Sequence, residues 1–341
     1  MIPIKNIYYM LSYAFRVLRE DSYSKLDTEN FDNVYDMYAS ILITGTKLLI
    51  KRGLSKGYIS EEELTSSPHG KIDITQSIKN NKINEKKVVC IFDDFNENIY
   101  LNKVIKSSLE CLMKKSISLE RKKSIKQLLM YFKDIETVDL KHLSKKFDYN
   151  RNNKHYELMI SICYLLSKSL LLSSRKGNNE LMRFIDDQTM HRLYEKFILE
   201  FYKIECKDVE VSSPKIEWQL DSDIDDNLPK MQTDIVLEKK DKVLIIDAKY
   251  YSSMMQERYE RKTYHSGNMY QIFTYVKNKS YECSQKTVSG LLLYAQTDEE
   301  IVPNGRYNMS GNMISVKSLN LNQDFLVIKS DLLKIKELLN A

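Results

Sequence analysis

The sequence predicts an α+β chain in two parts, a helical N-terminal half carrying a small β element and a C-terminal half whose core runs αβββαβ. Three observations predict it. Apolar residues recur at intervals of three and four through most of the first half, which is the period of a helix buried on one face. Short β-rich runs interrupt that pattern only between Tyr58 and Phe92. Beyond the polar stretch Ser173 to Asn179, extended and helical segments alternate at short spacing.

Taken in order, Ile7, Tyr8, Leu11, Phe15 and Leu18 mark a first helix, and Val34 to Ile50 a second. Extended pieces follow at Tyr58-Ile59, Lys71 to Ile74 and Val88 to Phe92, with Ser66-Ser67-Pro68-His69-Gly70 as a turn between them. Helical spacing resumes from Asn98 to Leu112, from Ile117 to Phe132 and from His155 to Leu172. Ser173 to Asn179 offers few apolar side chains to pack across, so the expected domains are residues 1–174 and 175–341. In the second, a helix over Asp187 to Tyr202 precedes strands at Lys215 to Gln219, Met231 to Glu238 and Val243 to Tyr250. A helix over Asn268 to Lys277, a strand over Val288 to Tyr294, one or two further strands and a final helix over Leu332 to Leu339 complete the chain.

With 341 residues and 43% hydrophobic content the chain can bury two moderate cores. Charges interrupt every apolar run before the roughly 20 residues a membrane helix needs. The N-terminus lacks the basic, apolar and small-residue regions of a signal peptide, so a cytoplasmic location is expected. Five cysteines, never closer than 21 positions, fit neither a disulfide framework nor a zinc site. The net charge of +5 is unevenly spread, since residues 100–155 hold 14 Lys and Arg against 6 Asp and Glu. Such a segment suits a polyanion or an acidic protein partner, or simply a solvated helix face.

The chemistry concentrates on one strand. Val243-Leu244-Ile245-Ile246-Asp247-Ala248-Lys249 begins as a buried apolar run and then sets Asp247 and Lys249 two residues apart, on one face. A buried carboxylate and ammonium cost several kcal/mol unless paired or metal-bound. Asp234 lies in the preceding apolar strand, across the polar turn Glu238-Lys239-Lys240-Asp241-Lys242, so pairing about that turn brings it level with Asp247. Two carboxylates so placed can share a hard cation such as Mg²⁺, with Lys249 facing the same pocket. These are the parts needed for phosphodiester hydrolysis, and the other reading is a structural ion pair at a strand end. Glu195, at the edge of the apolar face Leu193-Tyr194-Glu195-Lys196-Phe197, could reach the metal or be an exposed helix acid. Gln271 and Tyr275 stand at i and i+4 on the next helix, where Gln271 could hold a phosphate or water and Tyr275 could pack beneath Lys249 or be plain core. His191 lies one turn before Glu195, but with no His-Glu-x-x-His it reads as a capping or surface residue. There is no Gly-x-x-x-x-Gly-Lys-Ser/Thr and no Gly-x-Ser-x-Gly, which excludes P-loop nucleotide binding and a nucleophile-elbow hydrolase.

The acids and lysine match the pattern of PD-(D/E)xK nucleases, with Thr233 where that class has its eponymous proline. The opening Ile2-Pro-Ile-Lys-Asn-Ile-Tyr-Tyr-Met-Leu-Ser-Tyr-Ala-Phe15 resembles the N-terminal signature of the McrC family, the nuclease subunits of McrBC modification-dependent restriction systems. His69 to Ile74, Asn102 to Lys106, Leu193 to Phe197, Thr233 to Val236, Asp247 to Tyr250 and Met269 to Tyr275 resemble that family in the same order. The resemblance implies a Mg²⁺-dependent endonuclease that cuts double-stranded DNA near methylated cytosines together with a hexameric McrB-like AAA+ GTPase. It also implies that the N-terminal half is a stalk entering the partner's ring and stimulating GTP hydrolysis. The other reading kept open is a non-catalytic adaptor that retains the fold as a DNA clamp.

Overall fold

The computed structural model describes residues 2–79, 86–143, 147, 149–150, 153–173, 187–221, 227–251, 256–258, 261–296 and 302–340. The chain forms two compact units, one of residues 1–31 with 176–341 and one of residues 32–175. The expected division of 1–174 from 175–341 is therefore corrected at its first end. Residues 174–179, on which that expected break fell, lie outside the described residues.

The first helix, α1 (Ile4–Ala14), explains the correction. Its Tyr13 hydroxyl donates to Glu205 at 2.6 Å, and the Asn6 amide donates to the carbonyls of Leu321 and Gln323 at 2.9 and 2.8 Å. Tyr9 stacks on Phe325 at 4.5 Å, while Tyr13 meets Phe197 and Phe201 at 5.7 and 5.3 Å. All those partners are C-terminal. The helical period correctly marked this segment as needing a partner surface but could not say which surface.

The unit of residues 32–175 holds α2 (Val34–Arg52), β1 (Gly57–Thr65), β2 (Lys71–Asp73), α3 (Ile74–Lys79), β3 (Val88–Asn96), α4 (Tyr100–Met113), α5 (Leu119–Leu129) and α6 (Tyr156–Ser173). Asn33 caps α2 by accepting the Asp36 amide, and Gly53 ends it at a φ of 87°, a conformation that favours glycine. The sheet runs β1-β3-β2, all antiparallel, as the β element between helices predicts. Buried Asp36 pairs with Arg121 at 2.7 Å and ties α2 to α5. Tyr156 donates to Asn102, whose amide holds the Ser55 and Glu97 carbonyls, and this network fixes the loop before β1 to α4 and α6.

The other unit continues with α7 (Asp187–Glu205), β4 (Glu210–Ser212), β5 (Lys215–Ile216), β6 (Met231–Gln232), β7 (Ile235–Lys239) and β8 (Lys242–Lys249). Then come β9 (Gln256–Arg258), β10 (Arg261–Thr263), α8 (Ser266–Glu282), β11 (Thr287–Gln296), β12 (Gly305–Met309), β13 (Asn312–Asn320) and α9 (Phe325–Lys336). The main sheet is six-stranded, ordered β12-β13-β11-β8-β7-β4, with β8, β11 and β13 parallel. Two expected strands differ. Lys215 to Gln219 gives only the two-residue β5, paired with β6 outside the main sheet, and the edge strand beside β7 is β4. The expected strand Met231 to Glu238 breaks at Thr233, whose amide and hydroxyl both donate to the Pro214 carbonyl, at 3.2 and 2.7 Å.

Alternation along β7 and β8 decides the placement of the site. Val236, Val243 and Ile245 join the core beneath α8 with Ile272 and Val276, so Asp234, Asp247 and Lys249, in phase with them, lie on the α8 side. Gly290 on β11 permits the close approach, since a Cβ there would meet Val276 Cγ2 at 2.7 Å and Ile272 Cγ1 at 2.9 Å. Among the described residues no helix is long and apolar enough to cross a membrane.

Candidate active site

Strands β7 and β8 pair antiparallel with Ile235 opposite Ile246 at the end of the ladder, and Asp234, just before β7, stands near enough to Asp247 for the two charges to act on one another. Asp234 Oδ2 accepts the Ala248 amide at 2.9 Å, which fixes this acid at the mouth of the ladder. The Asp247 side chain is 1% exposed and that of Lys249 8%. Lys249 Nζ sits 2.8 Å from Asp247 Oδ2, but the angles fall short of a hydrogen bond, and neither Asp247 oxygen has a directed donor.

Lys249 also donates to Gln271 Oε1 at 3.2 Å. The Gln271 amide donates to the Tyr275 hydroxyl at 2.9 Å, and that hydroxyl donates to the Gln232 carbonyl at 3.1 Å. The predicted pair on α8 thus acts on the ammonium: Gln271 orients Lys249, and Tyr275 anchors Gln271 to the strand that leads into Asp234. One N–H of the Gln271 amide goes to this chain, and the other is left for the expected contact with phosphate or water.

Glu195, on α7, has its Oε1 2.9 Å from His191 Nε2. The His191 Nδ1 accepts the Tyr250 amide at 3.1 Å, directly after Lys249. His191 therefore lies beside the candidate site, joined to the backbone after Lys249, where the expected place was at the surface or at a cap. The available signal was its position one turn before Glu195, on the same flank of α7.

Burial pushes the Asp234 carboxyl up to about 7, with Asp247 and then Glu195 adding to the rise. Burial also raises Asp247 above the ordinary carboxylate range, against the pull of Lys249. Burial would lower Lys249, yet Asp247 and Asp234 outweigh it and hold the ammonium above its usual value. Two acids crowd one ammonium in the site, and burial makes the charged form of each acid costly.

A divalent cation fits that arrangement, and the observation that supports it is the Asp247 carboxylate, ion-paired to Lys249 but with no hydrogen bond to either oxygen. Among the described residues no three His, Cys, Asp or Glu groups gather closely enough to hold a metal together. The structure brings Asp234 and Asp247 together but leaves Glu195 engaged by His191. Two carboxylates suit Mg²⁺, which keeps several waters and takes its remaining oxygens from substrate phosphate.

A pH dependence follows for the metal-free chain. Asp234 titrates higher folded than unfolded, so its contribution to stability is fully present below about pH 4 and lost as pH rises through about 7. The loss is at most about 4 kcal/mol. A bound cation opposes it, so the rise in Tm on adding Mg²⁺ should be larger at pH 8 than at pH 5.5, and Asp234→Asn should flatten the difference. Thermal unfolding in EDTA and in Mg²⁺ checks this; equal Mg²⁺ effects at both pH values would count against a cation at Asp234.

A family described as McrBC 5-methylcytosine restriction system component matches residues 4–295. An Escherichia coli (strain K12) protein described as type IV methyl-directed restriction enzyme EcoKMcrBC is 30% identical over 343 residues, covering 98% of this chain and 97% of that protein. Among solved structures, a half-complex of Thermococcus gammatolerans McrB AAA+ hexamers with bound McrC has a TM-score of 0.49 at 15% identity, covering 98% of this chain and 76% of the other. The T. gammatolerans McrBC complex has a TM-score of 0.42 at 17% identity, covering 59% and 58%. On the family match across most of its length, and the relative that aligns with it nearly end to end, the chain belongs to the McrBC 5-methylcytosine restriction system component family.

Proposed function

We propose that this chain is the DNA-cleaving subunit of a methylcytosine-dependent restriction complex, a Mg²⁺-dependent endonuclease of the PD-(D/E)xK class that works with a hexameric McrB-like AAA+ GTPase. The observation that carries the reading is the acid pair with its lysine: Asp234, just before β7, beside buried Asp247 on β8, with buried Lys249 2.8 Å from Asp247. The family match and the methyl-directed restriction enzyme of E. coli support the biological setting.

Asp234 and Asp247 would hold Mg²⁺, which when bound supplies positive charge to a scissile phosphate. Lys249 presents an ammonium that its acid neighbours keep protonated, so it orients an attacking water and offsets charge developing on the phosphate. Gln271 and Tyr275 aim that ammonium. Glu195 stands close enough for its charge to act on both aspartates, and serves through water rather than as a third protein ligand. The unit of residues 32–175 is the part assigned to the GTPase partner and to stimulating GTP hydrolysis.

The test is cleavage of methylated plasmid by the full chain. Alone with Mg²⁺ it should cut poorly, and cutting should appear when an McrB-like partner and hydrolysable GTP are added. Efficient, site-specific cutting by the chain alone would remove the partner from the proposal, while no cutting under any of these conditions would remove the nuclease.

A further inference from the structure

We propose that His191 is a positioning residue of this site, locking the Glu195 carboxylate and the end of β8 into one fixed arrangement. The inference rests on the nuclease reading.

The ring has one directed hydrogen bond and one close polar contact. Nδ1 accepts the Tyr250 amide at 3.1 Å, and a ring nitrogen that accepts a hydrogen bond carries no proton. The neutral ring assigned from this pattern holds its proton on Nε2, which lies 2.9 Å from Glu195 Oε1. One oxygen of Glu195 thereby sits against the ring, which limits where the carboxylate can lie. Tyr250 directly follows Lys249, so the same ring ties α7 to the backbone that carries the ammonium.

Burial and packing agree. The His191 side chain is only 23% exposed, and its ring lies nearly parallel to that of Tyr251, at 15° and 6.1 Å between centroids. A solvated surface histidine would not accept the Tyr250 amide. A metal ligand needs one ring nitrogen with a free lone pair, and here Nδ1 accepts the Tyr250 amide while Nε2 carries the ring proton and faces Glu195. His191 therefore acts through Glu195 and β8.

The two arms can be separated by substitution. The side-chain nitrogen of Gln reaches the place of Nε2, whereas the oxygen of Asn reaches the place of Nδ1. Turnover should fall about tenfold or more in His191→Ala and His191→Asn, with KM for DNA unchanged, and His191→Gln should recover most of the rate. His191→Ala combined with Glu195→Gln should be no slower than Glu195→Gln alone. These rates are measured on the full complex with partner, GTP and Mg²⁺, and calorimetric titration of the full chain with Mn²⁺ gives a second readout. Asp247→Asn should abolish Mn²⁺ binding, while His191→Ala should retain it. Recovery by Asn rather than Gln, multiplicative losses with Glu195→Gln, or loss of Mn²⁺ binding in His191→Ala as complete as in Asp247→Asn would each overturn the assignment. A wild-type complex that neither cuts nor binds Mn²⁺ would fell the nuclease reading and this inference with it, whereas an active wild type with the wrong substitution pattern fells the inference alone.

Discussion

Asp247→Asn should abolish DNA cleavage while leaving assembly with the partner and GTP hydrolysis close to wild type. The swap keeps size and shape but removes the charge of the one buried carboxylate in the site whose oxygens lack directed donors. A loss of at least about 100-fold is expected, because the interaction removed serves the transition state rather than the fold. Asp234→Asn should behave alike, as its charge faces the same place from the adjacent strand. Lys249→Ala should also stop cleavage, at a greater structural cost. It leaves two acids, Asp247 and Asp234, without the ammonium between them, and breaking a buried pair from one side costs about 3–5 kcal/mol. Paired losses should not add, since the three groups act as a unit. Plasmid cleavage, GTPase rate and Tm measured on the same preparations separate the outcomes. Cleavage near wild type in Asp247→Asn would refute the site, whereas joint loss of cleavage, GTPase and Tm would mean misfolding.

The sequence displayed this site because its parts are local. Asp247 and Lys249 share one strand, and Asp234 follows from a single hairpin, so period-two alternation and a turn suffice to bring them level. Gln271 and Tyr275 were found by helical spacing, but which group each touches depends on how α8 seats against β11, and that is set by Gly290 far along the chain. His191 was visible as a neighbour of Glu195, yet its meaning comes from a backbone amide that follows β8, and a backbone amide leaves no mark in the sequence. Strand boundaries failed where side chains compete with the ladder. At Thr233 two hydrogen bonds to the Pro214 carbonyl end β6, and apolar alternation across Met231 to Glu238 does not reveal them.

A fragment beginning at residue 176 should fail to fold stably, despite containing every candidate catalytic residue. It lacks α1, whose Tyr9 covers Phe325 and whose Tyr13 packs between Phe197, Phe201 and Phe325. Removing one such aromatic typically costs about 3–5 kcal/mol, so losing both approaches the 5–15 kcal/mol by which a domain is stable. Polar losses add to this. Asn6 no longer holds the Leu321 and Gln323 carbonyls before α9, and Glu205 and Glu200 lose Tyr13 and Arg16. The fragment should therefore express as aggregate or unfold at a much lower temperature than the full chain. Supplying residues 1–31 as a separate chain by co-expression should restore soluble, cooperatively unfolding material, because the contacts of α1 are side-chain packing and hydrogen bonds that do not need a covalent link. Asn6→Ala and Tyr13→Ala in the added segment should weaken the rescue. A fragment of residues 176–341 that unfolds cooperatively at the temperature of the full chain would show that α1 is dispensable to the unit that carries the site.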